Sequence, residues 1–86
     1  MKIIWDEPKR IANLDKHEMD FADLNEKFFD TALVLNAYKR RYRAIGVNIR
    51  GVVSVIFAVY GMEAVSVISM RPANRREREL YEANRR

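Results

Sequence analysis

Apolar positions change their spacing partway along the chain. Met1 to Trp5 is a short apolar run containing Ile3 and Ile4, and Asp6-Glu7-Pro8 after it has the composition of a helix start. The spacing predicts a first strand and then a helix from about Glu7 to Lys16, with Ile11 and Leu14 as its apolar stripe. Asp20 stands where it can cap a second helix. Phe21, Leu24 and Phe28 recur at helical offsets, so one face of residues 21–29 is expected to be buried.

From Thr31 onward the pattern favours strands, rich in Val and Ile: Ala32 to Leu35, Tyr42 to Ile49, Val52 to Tyr60 and Ala64 to Met70. Asn48-Ile49-Arg50-Gly51 and Gly61-Met62-Glu63 supply turn residues for tight hairpins. Asn74 with Glu77 three residues later forms a capping-box pattern, which starts a last helix after Pro72 that runs through Leu80 and Tyr81. The order is β-α-α-β-β-β-β-α. This implies an α+β sandwich of two layers, a single domain over residues 1–86. Its antiparallel meander carries the first strand at an edge, the N-terminal helices on one face and a loosely docked terminal helix.

At 86 residues the chain builds one core, burying about 60–65% of its unfolded surface. Having no cysteine and a single histidine excludes a disulfide framework, a thiolate metal site and a histidine cluster. No metal or cofactor is expected. With only three glycines there is no phosphate-cradling loop, so nucleotide hydrolysis has no support. The apolar run Gly51–Tyr60 is about half the ~20 residues of a membrane-spanning helix, and no signal-peptide pattern opens the chain. The expected compartment is the cytoplasm, with no membrane partner.

The net charge of +4 is unevenly spread. Residues 1–36 sum to −3, whereas residues 37–50 carry Lys39, Arg40, Arg41, Arg43 and Arg50 with no acid. The tail from Arg71 to Arg86 adds +3. Two basic segments suit an anionic partner such as nucleic acid, although charge runs of this size also occur as plain solvated rims.

On the first helix Lys9, Asn13, Lys16 and His17 share a face. Cutting RNA without a metal needs a group to deprotonate the 2′-hydroxyl, cations for the crowded phosphate and a proton donor for the leaving oxygen. His17, Glu77 and Tyr60 are the candidates for proton exchange, and Lys9, Arg43, Arg71 and Arg78 for the phosphate; spacing does not choose among them. Asp20 and Asp23 read as helix-start charges.

Ile4-Trp5-Asp6-Glu7-Pro8-Lys9, Asn13, Lys16-His17 and Asp20-Phe21-Ala22 together resemble the start of the BrnT toxins. Arg43-Ala44-Ile45-Gly46, the run Val52 to Tyr60, Ile68-Ser69-Met70-Arg71-Pro72-Ala73, Asn74-Arg75-Arg76-Glu77-Arg78-Glu79 and Tyr81 follow in the family's order. The resemblance implies the toxin of a bacterial type II toxin–antitoxin pair, with a RelE-like fold and a ribonuclease activity that halts translation. It also implies a BrnA-like antitoxin as partner, operator DNA reached only through the complex, and toxin dimers joined to antitoxin dimers. Read onto this chain, His17, Arg71 and Glu77 are the expected catalytic residues, while Lys9, Asn13, Lys16, Arg43 and Arg78 are the expected RNA contacts.

The chain departs from the family pattern at three places. Glu18 stands where glycine usually follows the histidine, Ser66 where an arginine is usual, and Gly61-Met62-Glu63 in place of a more polar hairpin. Ser66 opens a second expectation, a catalytically weakened toxin-like domain that acts mainly as an antitoxin-binding, transcription-regulating interaction protein. A third is a nucleic-acid binder that leaves the strand intact.

Overall fold

The computed structural model describes residues 1–85; Arg86, part of the basic tail, lies outside the described residues. The elements are β1 (Lys2–Trp5), α1 (Glu7–His17), a 3₁₀ turn (Phe21–Asp23), α2 (Glu26–Thr31), β2 (Leu33–Asn36), β3 (Tyr42–Asn48), β4 (Gly51–Tyr60), β5 (Ala64–Pro72) and α3 (Arg75–Asn84). One five-stranded sheet runs in the order β1-β5-β4-β3-β2. Strands β2 to β5 form the expected antiparallel meander, and β1 joins β5 at the edge in parallel, Trp5 opposite Val67. Among the described residues no helix is long and apolar enough to cross a membrane.

Alternation along the strands sends Ala44, Gly46, Val53, Val55, Phe57, Val67 and Met70 to one face, where Met19, Phe21, Leu24, Phe28 and Phe29 cover them. Gly46 lies in β3 because α2 sits directly on it: a Cβ there would approach Phe28 Cε1 to 2.9 Å and the Ala32 Cβ to 3.1 Å. The second helix is shorter than its spacing predicts. Asp20 caps only the 3₁₀ turn, Leu24 is extended, and the Asn25 side chain accepts the Phe28 N–H to start α2 anew. Phe21, Leu24 and Phe28 are buried all the same, since the interrupted path still aims them at the sheet.

Helix α1 does not pack through the expected stripe. Ile11 is 55% exposed and Leu14 39%, while the buried residue is Asn13. Its Nδ2 donates to the Met19 carbonyl at 3.1 Å, and its Oδ1 accepts the Met70 N–H at 3.0 Å. An amide that satisfies two buried backbone groups anchors the helix through Asn13 and leaves the apolar pair outside.

Helix α3 lies on the opposite face of the sheet, so the expected two layers become three at that end. Ile45, Ala73 and Tyr81 form a second core with Leu33 and Val52 beside them. The terminal helix is also better anchored than expected: Tyr81 is 7% exposed, and the capping box between Asn74 and Glu77 is complete.

Glu18 ends α1 in the left-handed region, φ 56° and ψ 32°, with its N–H donating to the Leu14 carbonyl. That is the conformation glycine adopts without a Cβ penalty, which explains why a glycine suits this position. Glu18→Gly is expected to raise stability by about 0.5–1 kcal/mol, read as a higher denaturant midpoint at unchanged slope. A lower midpoint would show that the glutamate side chain supports the fold.

Candidate functional site

The face of the sheet opposite the main core carries a cluster built by strand register. Ser54 pairs with Arg71 across β4 and β5 and with Ile45 across β3 and β4, so Arg43, Ser54 and Arg71 point the same way. Arg43 Nη1 donates to Ser54 Oγ. Over them comes Glu77 from the first turn of α3. Its carboxylate takes a bidentate fork from Arg71, Nη1 to Oε1 at 2.8 Å and Nη2 to Oε2 at 2.9 Å, and Arg43 Nη1 reaches Oε2 at 3.3 Å. Oε1 also accepts the Asn74 N–H at 3.0 Å, so the capping box and the ion cluster share one side chain.

One buried carboxylate thus gathers two guanidiniums whose side chains stay 29% and 32% exposed. The Arg71 hydrogen bonds hold the Glu77 carboxyl below its usual range, outweighing the effect of burial, with the Asn74 N–H and the Arg43 charge adding to the same direction. Arg71 is shifted upward by the same contact. The cluster keeps one net positive charge, open to solvent on the guanidinium side.

A second feature lies where α1 meets β5. Lys9, Asn13, Lys16 and His17, the helix face expected from the sequence, line one cleft of about 270 Å³ with Ala12, Ile68 and Ser69. Ile68 is the extra residue of a β-bulge, since Ile56 pairs with Ser69 but Phe57 with Val67. Ser69 is two residues from Arg71, so β5 is common to the cleft and the arginine cluster.

The other expected residues fall elsewhere. Arg78 donates to the Ala73 carbonyl at 2.8 Å and lines a hollow with Val52, Arg75, Glu79 and Glu82. Tyr60 is exposed at the far end of β4, beside Met62 and Glu63. Asp20 accepts the Ala22 N–H and pairs with Arg10, the structural use its position suggested. Ser66 stands on the arginine-bearing face, in register with Ile4 and Ala58. Sequence reasoning missed Ser54; the signal was there, as the one polar residue inside the run Val52 to Tyr60 other than the terminal tyrosine. Among the described residues no three His, Cys, Asp or Glu side chains are grouped to hold a metal ion.

Fold and site together define a small α+β protein that carries paired, partly exposed guanidiniums and a lysine–histidine cleft. A family model described as the ribonuclease toxin, BrnT, of type II toxin–antitoxin system matches residues 5–77. Among solved structures, the crystal structure of the Brucella abortus ribonuclease toxin, BrnT, is 51% identical, with 87% of this chain and 99% of that one covered and a TM-score of 0.81. No curated protein matches the chain. The chain belongs to the BrnT family of ribonuclease toxins of type II toxin–antitoxin systems.

Proposed function

We propose that this protein is an endoribonuclease that cuts RNA without a metal, stops translation, and is neutralised by a BrnA-like antitoxin in the cytoplasm. The observation that carries the reading is the pair Arg43 and Arg71, drawn together on an open sheet face by the ionised Glu77. Two guanidiniums present several N–H donors to phosphate oxygens, and such donors gain strength as charge develops in the transition state. In the proposed reaction the 2′-oxygen attacks phosphorus and the bond to the 5′-oxygen breaks, leaving a 2′,3′-cyclic phosphate and a free 5′-hydroxyl. The 2′-hydroxyl proton goes to a base and a proton is returned to the 5′-oxygen, with His17 as the group suited to this exchange.

Glu77 fits a positioning role better than a proton-transfer role, because its carboxylate is ionised, already accepts three hydrogen bonds and is ion-paired with Arg43 as well. Lys9 and Lys16 hold flanking phosphates along the cleft, Asn13 shapes its floor while bonded to the fold, and Arg78 contacts the strand only at the periphery, beyond α3. The RelE-like relationship, toxin dimers joined to antitoxin dimers, and operator binding through the antitoxin belong to the same proposal.

The cellular test is induced expression with pulse labelling of new protein. Growth arrest and loss of labelling, both relieved by co-expressed antitoxin, are the expected result. Ser66 supports the alternative of a weakened toxin that chiefly binds its antitoxin, since an arginine there would have joined the basic face. Normal growth with tight antitoxin binding would favour that alternative.

A further inference from the structure

Of the five cations between residues 37 and 50, only Arg43 is drawn into the site. Lys39, Arg40 and Arg41 stand on the loop between β2 and β3, beside Tyr38, which is 80% exposed. The Ala37 N–H donates to the Arg41 carbonyl at 2.8 Å and closes the loop. Within it Lys39 and Arg40 have φ of 57° and 62°. Two consecutive left-handed residues, here inside a five-residue connection between Asn36 and Tyr42, form a conformation that Asn and Gly adopt with least strain. Lysine and arginine carry a conformational cost there, so the turn itself gives no reason for them; their side chains do.

Those side chains are free and arranged. Among the described residues no ion pair involves Lys39, Arg40 or Arg41. Lys39 Nζ lies 5.4 Å from the Tyr38 ring centroid, so an ammonium and an aromatic face are presented as one unit. The loop opens directly onto β3, where Arg41 precedes Arg43 by two residues, roughly 7 Å along an extended chain. A basic track therefore continues from the arginine cluster to the loop. Cations alone would suit an acidic protein segment as well, but an exposed ring among them suits unpaired bases, which stack on aromatic faces.

We propose that the Tyr38–Arg41 loop is a second contact for single-stranded RNA, stacking a base on Tyr38 and neutralising phosphates beyond the cut with Lys39, Arg40 and Arg41. It rests on the endoribonuclease reading and extends it to the substrate class, an unpaired strand longer than the arginine cluster alone would hold.

The test measures fluorescence anisotropy with a short, unstructured 2′-O-methyl RNA, which lacks the attacking hydroxyl and so reports binding without cleavage. The Lys39→Asn/Arg40→Gly double variant gives the turn its preferred residues while removing two charges. It is expected to melt higher than wild type yet bind the single strand about tenfold more weakly at moderate salt. Its slope of log affinity against log salt should shrink by about 1.4, at ~0.7 per phosphate contact for single strands. Tyr38→Ala should weaken binding by about 5–100-fold with the salt slope unchanged. Wild-type affinity and slope in both variants would overturn the proposal, as would weaker antitoxin binding with RNA affinity intact. Wild-type protein that binds no RNA would remove the endoribonuclease reading and this one together; binding wild type with indifferent variants would remove only the loop.

Discussion

Glu77→Gln will cost the fold about 2 kcal/mol at neutral pH, the scale of hydrogen bonds to a charged group lost from a mostly buried pair. Glutamine keeps an oxygen for the Asn74 N–H, so the capping box survives and the loss reports on the charge. The pH dependence has a fixed sign. The folded carboxyl titrates below its ordinary value of 4.5, so its stabilisation is complete above that pH and fades as acid carries the solution through the lower, folded value. The gap between wild type and variant, measured by urea melts, should therefore be widest near neutrality and narrow progressively as the pH falls below that ordinary value. A gap that persists undiminished in acid would mean the ion cluster is not its source.

The same variant separates two views of the carboxylate. If Glu77 merely neutralised the arginines, its removal would strengthen RNA binding and speed cleavage. If it positions them, the two guanidiniums repel and separate, and kcat/KM falls at least about tenfold despite the gain in positive charge.

Arg71→Ala carries the largest expected effect on activity, a fall in kcat/KM of about 10²–10³-fold, the range for removing a preorganised donor aimed at developing charge. The loss should exceed that of Arg78→Ala, because Arg78 lies in a separate hollow, away from the pair of guanidiniums. Arg71→Lys should recover only part of the rate, since an ammonium cannot reproduce the planar fork that Glu77 and a phosphate both use. Equal, small effects at both positions would remove the arginine cluster from the reaction.

How much of this could be read from the residues depends on which forces position them. The meander was legible because Val and Ile runs separated by Gly or Asn report strands and hairpins directly. The start of α3 was legible too, since a capping box is a local device. Packing of α1 was not: a buried asparagine serving Met19 and Met70 overrode Ile11 and Leu14, and its second partner lies 57 residues away. Nor did periodicity reveal the break at Leu24, where Asn25 competes with Asp20 as the helix start. At the site, the helix face of Lys9, Asn13, Lys16 and His17 followed from 3.6-residue geometry. The meeting of Arg43, Ser54, Arg71 and Glu77 depends on strand register and on α3 crossing to the second face, neither of which single-chain spacing contains.

The most direct measurement is cleavage of a defined RNA by the purified protein on a denaturing gel, in excess chelator, with Arg71→Ala in the adjacent lane and antitoxin added in a third. Cutting by wild type, ending in 2′,3′-cyclic phosphate and absent from both other lanes, is the predicted result. Intact RNA from folded wild-type protein in chelator, with cleavage restored by a divalent metal, would contradict a site that works through its own guanidiniums and histidine.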